Sequence, residues 1–323
     1  MIGREELLEA ERRIRPFLAP TPVLRSEWLS RQVGSEVFLK LELLQPTHSF
    51  KVRGALNALV ALTPERRGPG VVTASEGNHG LGVAMAAARL GVRATVYLPE
   101  RAAPARIEAL QALGAEVVLH GGSWDQANDE ALRIARATGR AYVHPFDDPH
   151  VMAGQGTILT ELLDQLDAVD LMVASIGGGG LIGGLASAAR HFSPGTRVVG
   201  VETLGADCLY QSRRAGRLVE LPAITSVARS LGARRSAERP FQIVQALVSD
   251  LVVVPDVQAV EGGLALLREE KLLVEPAAGC SVAALVSGRV PIRTGERVVV
   301  VVCGGNVTPR EIHELAERFA VAV

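Results

Sequence analysis

Nine runs rich in valine, isoleucine and leucine alternate with segments of helical period almost from one end of the chain to the other. This rhythm constrains the fold more than any other feature. The runs fall at 37–43, 70–75, 93–99, 115–120, 141–146, 171–177, 196–202, 251–255 and 296–303. Between them lie stretches such as GALNALVALT, GVAMAAARLG, ARIEALQALG and EALRIARATG, whose apolar residues recur at i, i+3 and i+4 and several of which stop at glycine. Continuous apolar strands separated by helices predict parallel sheets covered on both faces. The expected class is therefore α/β, with two open, mostly parallel twisted sheets flanked by helices. Four of the runs lie within 47–146, which is expected to form a small domain; 1–46 and 147–323 would form the larger one. The rhythm breaks only around 203–240. Sheets of this kind bind ligands beyond the C-terminal ends of their strands, which places the site in the cleft between the domains.

Charge removes whole classes of partner. Of 323 residues, 34 are basic and 35 acidic, so the formal charge is −1 and no dense basic run exists. Nucleic acid and anionic membrane surfaces are not expected partners. Cys208, Cys280 and Cys303 lie far apart, which argues against a disulfide framework or a cysteine zinc cluster and fits a reducing cytoplasm. The opening MIGREELLEAERRIR mixes charge with apolar residues, unlike a signal peptide. Leu171 to Ala189 is uncharged for 19 residues, but six are glycine, so it reads as strand, tight loop and helix start rather than a span. Only Lys40, Lys51 and Lys271 are lysine, against 31 arginines. A retained lysine can mark chemistry that a permanently charged guanidinium cannot perform.

Three strand ends carry candidate chemistry. In QPTHSFKVRGA (45–55), Lys51 opens a helix, where the local dipole disfavours its proton. A neutral amine can form a Schiff base with an aldehyde. In TASEGNHGLG (73–82), Ser75, Asn78 and His79 with free backbone N–H groups could hold a carboxylate. Glu76 fits that carboxylate pocket poorly unless it points elsewhere. In SIGGGGLIGGLA (175–186), four glycines and a helix start suit a phosphate. Taken singly, these are also an ordinary surface lysine, an N-cap turn and a tight helix–strand contact. The last segment also contains G-x-G-x-x-G as Gly178, Gly180 and Gly183, with Glu202 closing the next strand, as a dinucleotide site would. That nicotinamide-dependent oxidoreductase reading leaves the first two segments idle. A pyridoxal 5'-phosphate reading uses all three, and adds VVCGGN (301–306) as a fourth strand end.

SFKVRGA, SEGNHG and GGGGL in this order resemble the fold-type II pyridoxal-phosphate enzymes of the tryptophan synthase beta superfamily, among them threonine deaminases, serine dehydratases and serine racemases. The second half, through ETLGADC, LPAITSVARSLG, KLLVEPAAG and VVCGGN, is most similar to liver-type L-serine/L-threonine dehydratase. The resemblance implies that Lys51 holds the cofactor and later acts as base, Phe50 packs on its ring, and Asn78 bonds the ring hydroxyl. It implies that Gly177, Gly178, Gly179, Gly180 and Leu181 bind the phosphate, and that Cys303 faces the ring nitrogen. Ser75, Asn78 and His79 would take the substrate carboxylate. The activity implied is β-elimination from L-threonine, L-serine or a related 3-hydroxy amino acid, releasing a 2-oxo acid and ammonia. A homodimer is usual among relatives. Relatives bind a cation near the positions matching Glu202, Ala206 and Cys208; cysteine in place of an acid points to a monovalent ion. Glu76 departs from the L-specific pattern and resembles diaminopropionate ammonia-lyase, so it keeps open a racemase or D-active lyase in which Glu76 is a second base.

Overall fold

The computed structural model describes residues 1–322. Ten strands form: β1 (Val23–Arg25), β2 (Val37–Lys40), β3 (Val71–Ala74), β4 (Ala94–Leu98), β5 (Glu116–Leu119), β6 (Ala141–Tyr142), β7 (Leu171–Ser175), β8 (Arg197–Thr203), β9 (Asp250–Val254) and β10 (Val298–Val301). They make a six-stranded sheet in the order β1-β2-β10-β7-β8-β9 and a four-stranded sheet in the order β5-β4-β3-β6. All neighbouring pairs are parallel except β1 with β2. The α/β class with two mostly parallel sheets is thus as the sequence implies.

Two departures have plain causes. β1 is a three-residue antiparallel edge, too short to register as a period. The run at 141–146 shortens to two residues. Pro145 has no N–H to donate to a ladder, and His144 Nδ1 accepts the N–H groups of Phe146 and Asp147 at 3.2 and 2.8 Å, closing a turn. The freed segment then leaves the sheet for the cleft.

Each sheet has its own apolar core. Val298, Val299, Val300, Val173 and Val199 anchor the larger, while Val71, Val96, Leu56 and Val83 anchor the smaller. The N-terminal helix Arg4–Ile14 spans both, with Leu7 and Ala10 in one and Ile14 in the other. Between the cores runs a buried charge network. Arg53, from the helix Lys51–Ala61, pairs with Glu42 at 2.7 Å and with Glu161 at 2.6 Å. Lys40 closes the network, donating to Thr21 O, Glu161 Oε2 and Gln165 Oε1 at 2.9, 2.8 and 2.8 Å.

Lys40 therefore remains lysine for a geometric reason. A compact ammonium places three donors on three acceptors in a fully enclosed space, whereas a planar guanidinium is larger and its donors diverge. Replacing Lys40 by Arg should lower unfolding free energy by about 1–3 kcal/mol through overpacking, although charge is conserved. Urea denaturation of the two proteins side by side measures this, and an unchanged midpoint would refute the geometric account.

Candidate active site

Four strand-end segments meet, through contacts of Ser49 with Gly304, Lys51 with Pro145, Asn78 with Glu275 and Gly178 with Phe146, where the sequence expects the cleft. Backbone pairing brings two of them together: Ser49 bridges Gly304, and Phe50 N donates to Cys303 O at 3.1 Å. This fixes Lys51, first residue of its helix, beside the end of β10. His48 turns the chain with φ of 55°. Lys51 is half-buried and its Nζ donates to Pro145 O at 2.8 Å, with no carboxylate partner among the described residues. Burial lowers its pKa to about 8, which the thiol of Cys303 opposes. The amine is therefore substantially neutral under mildly alkaline conditions.

Cys303 is buried, and Ser175 Oγ lies 3.3 Å from its sulfur. Burial, then the charge of Glu275, push its pKa up to about 12, so it stays a neutral thiol.

The glycine loop follows β7. A Cβ on Gly178 would lie 2.2 Å from the ring of Phe146, and one on Gly180 would lie 2.9 Å from the Cα of Phe146. Gly179 has φ of +99°, which side chains rarely adopt. The helix Gly180–Phe192 starts here with no side chain capping its N-terminus. An uncapped helix start beside bare backbone is a seat for an anion.

After β3, Ser75 Oγ accepts from Gly77 N at 3.3 Å, and the helix Asn78–Leu90 begins without a side-chain cap. Glu76 is half-buried and has no hydrogen-bond or ion-pair partner among the described residues. His79 is placed differently from Ser75 and Asn78. It is buried, its Nε2 lies 3.0 Å from Val143 O, and burial, followed by the charge of Lys51, lowers its pKa to about 3. The imidazole is thus neutral and packed behind the loop.

Glu202, Ala206 and Cys208 lie apart from these groups, at the end of β8. Glu202 is fully buried and accepts the N–H groups of Leu209 and Tyr210 at 3.1 and 2.6 Å, bonding the first turn of the helix Cys208–Ala215. Burial raises its pKa to about 8. Enclosed in this way, it cannot serve the ribose hydroxyl that the dinucleotide reading requires, and that reading falls. Burial likewise holds the Cys208 thiol at about 12. No cluster of three or more His, Cys, Asp or Glu with metal-binding placement occurs among the described residues, and no helix among them is long and apolar enough to cross a membrane.

Glu275, Asn306, Pro145 and Phe146 also belong to the cleft, and residue-type reasoning gave them no role. Glu275 and Asn306 stand inside KLLVEPAAG and VVCGGN, so the signal was the motif rather than the residue.

The chain has likenesses among known proteins. A family model described as pyridoxal-phosphate dependent enzyme matches residues 14–304. The L-threonine ammonia-lyase of Geobacter sulfurreducens is 40% identical over 314 residues, covering 97% of this chain and 78% of that protein. Among solved structures, the processed form of threonine deaminase isoform 2 from Solanum lycopersicum has a TM-score of 0.92 at 32% identity, covering 97% of this chain and 87% of that one. Maize serine racemase has a TM-score of 0.91, also at 32% identity, covering 98% and 97%.

Proposed function

Because the chain belongs to the family of pyridoxal-phosphate dependent enzymes, we propose that it is an ammonia-lyase dehydrating and deaminating L-threonine, L-serine or a related 3-hydroxy amino acid to a 2-oxo acid and ammonia. The observation that carries this reading is the near full-length likeness to L-threonine ammonia-lyase, into which an enclosed Lys51 without an ionic partner fits.

The cleft suits pyridoxal 5'-phosphate on structural grounds. The glycine cradle at Gly177, Gly178, Gly179, Gly180 and Leu181 ends at an uncapped helix start, as the phosphate requires. When bound, the cofactor supplies an aldehyde that links covalently to an amine, and a ring that withdraws electrons from the α-carbon. Lys51 would be the anchor, and its amine, with a pKa lowered to about 8, would take the α-proton. Phe50 would pack beside the ring. Cys303, a neutral thiol, would face the ring nitrogen; a thiol cannot hold a charged pyridinium as a carboxylate does, which would favour expulsion of the β-hydroxyl over transamination. Ser75 and the free N–H groups of its loop orient the substrate carboxylate. His79, tied to Val143 O, supports that loop from behind instead of reaching the substrate.

A cytoplasmic homodimer and a monovalent cation beside Glu202, Ala206 and Cys208 complete the proposal. Cysteine at position 208, where magnesium-binding relatives carry an acid, disfavours a divalent ion there, so activity should respond to potassium and not to magnesium.

Release of 2-oxo acid from L- and D-threonine and L- and D-serine tests the reading. L-only turnover is expected. The unpartnered Glu76 favours one competing reading, in which a second base acts on the opposite face; chiral analysis of recovered substrate detects that racemisation. Silence on both L-substrates would overturn the proposed specificity.

A further inference from the structure

Glu275 is a buried carboxylate that the chemistry above leaves unused. It is 6% exposed and has no cationic partner among the described residues. Instead it collects neutral donors. Its Oε1 accepts from Asn78 Nδ2 at 2.9 Å and from Asn306 N at 3.0 Å, and its Oε2 is bonded by Ser230 Oγ. Asn306 Nδ2 in turn donates to Asn78 Oδ1 at 2.6 Å and to Thr47 O at 2.8 Å. Gly304 makes room for the arrangement, since a Cβ there would stand 2.7 Å from Glu275 Oε1 and 3.2 Å from Asn78 Nδ2.

These contacts settle which way the Asn78 amide faces. An asparagine amide can be rotated end for end with little change of shape, exchanging a two-proton donor for an acceptor. Here reversal would set Oδ1 against the Glu275 carboxylate and NH₂ against the NH₂ of Asn306. Both contacts would then be repulsive. In the observed orientation one N–H of Nδ2 is held by Glu275, and the second has no acceptor among the described residues. Acceptance of a hydrogen bond at Oδ1 also strengthens the remaining N–H as a donor.

We infer that Glu275, with Asn306, is a positioning residue that locks Asn78 with its second N–H presented to the oxygen on the cofactor ring. The inference rests on the pyridoxal-phosphate reading above. It also ties the two sheets together at the cleft, because Asn78 follows β3 whereas Glu275 and Asn306 belong to the side of β10.

The test compares Glu275→Ala with Glu275→Gln, each saturated with pyridoxal phosphate. Glutamine can keep an acceptor oxygen toward Asn78 and Asn306 and lacks only the charge. Glu275→Ala should lower kcat about tenfold to a hundredfold, the scale of a lost hydrogen bond to a charged group. It should also displace the absorbance maximum of the bound cofactor and the pH dependence of that band. Glu275→Gln should keep the wild-type maximum and most of the turnover. An alanine variant with wild-type absorbance and pH profile overturns the inference, whatever its melting temperature. So does a glutamine variant as displaced as the alanine one, because the effect would then be charge and not orientation. If Glu275→Ala does not fold, Asn306→Ala, which strands no buried charge, is read against the same spectral criteria. Failure of the wild-type chain to bind pyridoxal phosphate would sink the functional reading itself, and is seen before any variant is made.

Discussion

Replacing Lys51 by alanine should lower turnover of L-threonine by at least about 10³-fold, since one residue would lose the roles of covalent anchor and of general base. The fold should survive. Lys51 makes a single hydrogen bond, to Pro145 O, and the lowered pKa of about 8 means that the enclosure penalises its charged form. The sign follows from proton counts. Between about pH 8 and the ordinary lysine value of 10.5, the unfolded chain holds a proton that the folded chain has released, so stability rises with pH across that window. Below it both states are protonated and the penalty is present in full. Lys51→Ala should therefore be at least as stable as wild type near pH 7, and its extra stability should shrink toward pH 10.5. The same value governs capture of cofactor by the stripped protein. The capture rate should climb about tenfold per pH unit below 8 and level off above, as the neutral amine fraction does. Thermal melts and stopped-flow absorbance measure the two effects. A variant that dehydrates L-threonine at the wild-type rate would remove Lys51 from the chemistry.

The groups proposed to act directly were legible because the proposed chemistry restricts residue type. An amine that must lose its proton cannot be arginine, and backbone that must approach an anion cannot carry a Cβ, so Lys51 and Gly177 to Gly180 stood out by residue type together with their place at strand ends. The strands were legible for a different reason: a buried parallel strand is apolar on both faces, and nine such runs were visible. β1 was not, because three residues carry no period. Supporting residues were hidden because their role depends on distant partners. Glu275 carries no role in the sequence until Asn78, 197 positions away, is found on its carboxylate. His79 reads as a ligand in SEGNHG, and only the place of Val143 shows it turned into the core. Glu202 fitted a nucleotide pattern by spacing alone, and its burial against Leu209 and Tyr210 removed that role.

Arg53 is the largest case of this kind. Within SFKVRGA nothing sets it apart from the other arginines, yet it is fully buried and bonds both oxygens of Glu42 and both of Glu161. Replacing it by methionine would strand two carboxylates, with Lys40 left to serve Glu161 alone. Breaking a buried pair by removing one partner costs about 3–5 kcal/mol, more than replacing the whole network by apolar residues would. Unfolding free energy should fall by that amount at pH 7. The loss should also depend on pH. Burial pushes the Glu161 carboxyl up, but hydrogen bonds and charge from Arg53, followed by Lys40, outweigh it and hold the pKa below the ordinary 4.5. A lowered carboxyl pKa contributes stability above 4.5 that is lost as pH falls through the folded value. Methionine forfeits that contribution, so the gap between wild type and variant should be widest near neutrality and narrow as the solution is acidified below 4.5. Urea unfolding at pH 7 and pH 4 measures both. A constant gap would mean that Arg53 contributes packing and not charge. Because Arg53 lies two residues beyond Lys51 and joins the cleft-side helix to Glu42 and Glu161, the variant should also bind pyridoxal phosphate more weakly, a loss that added cofactor would partly reverse by mass action.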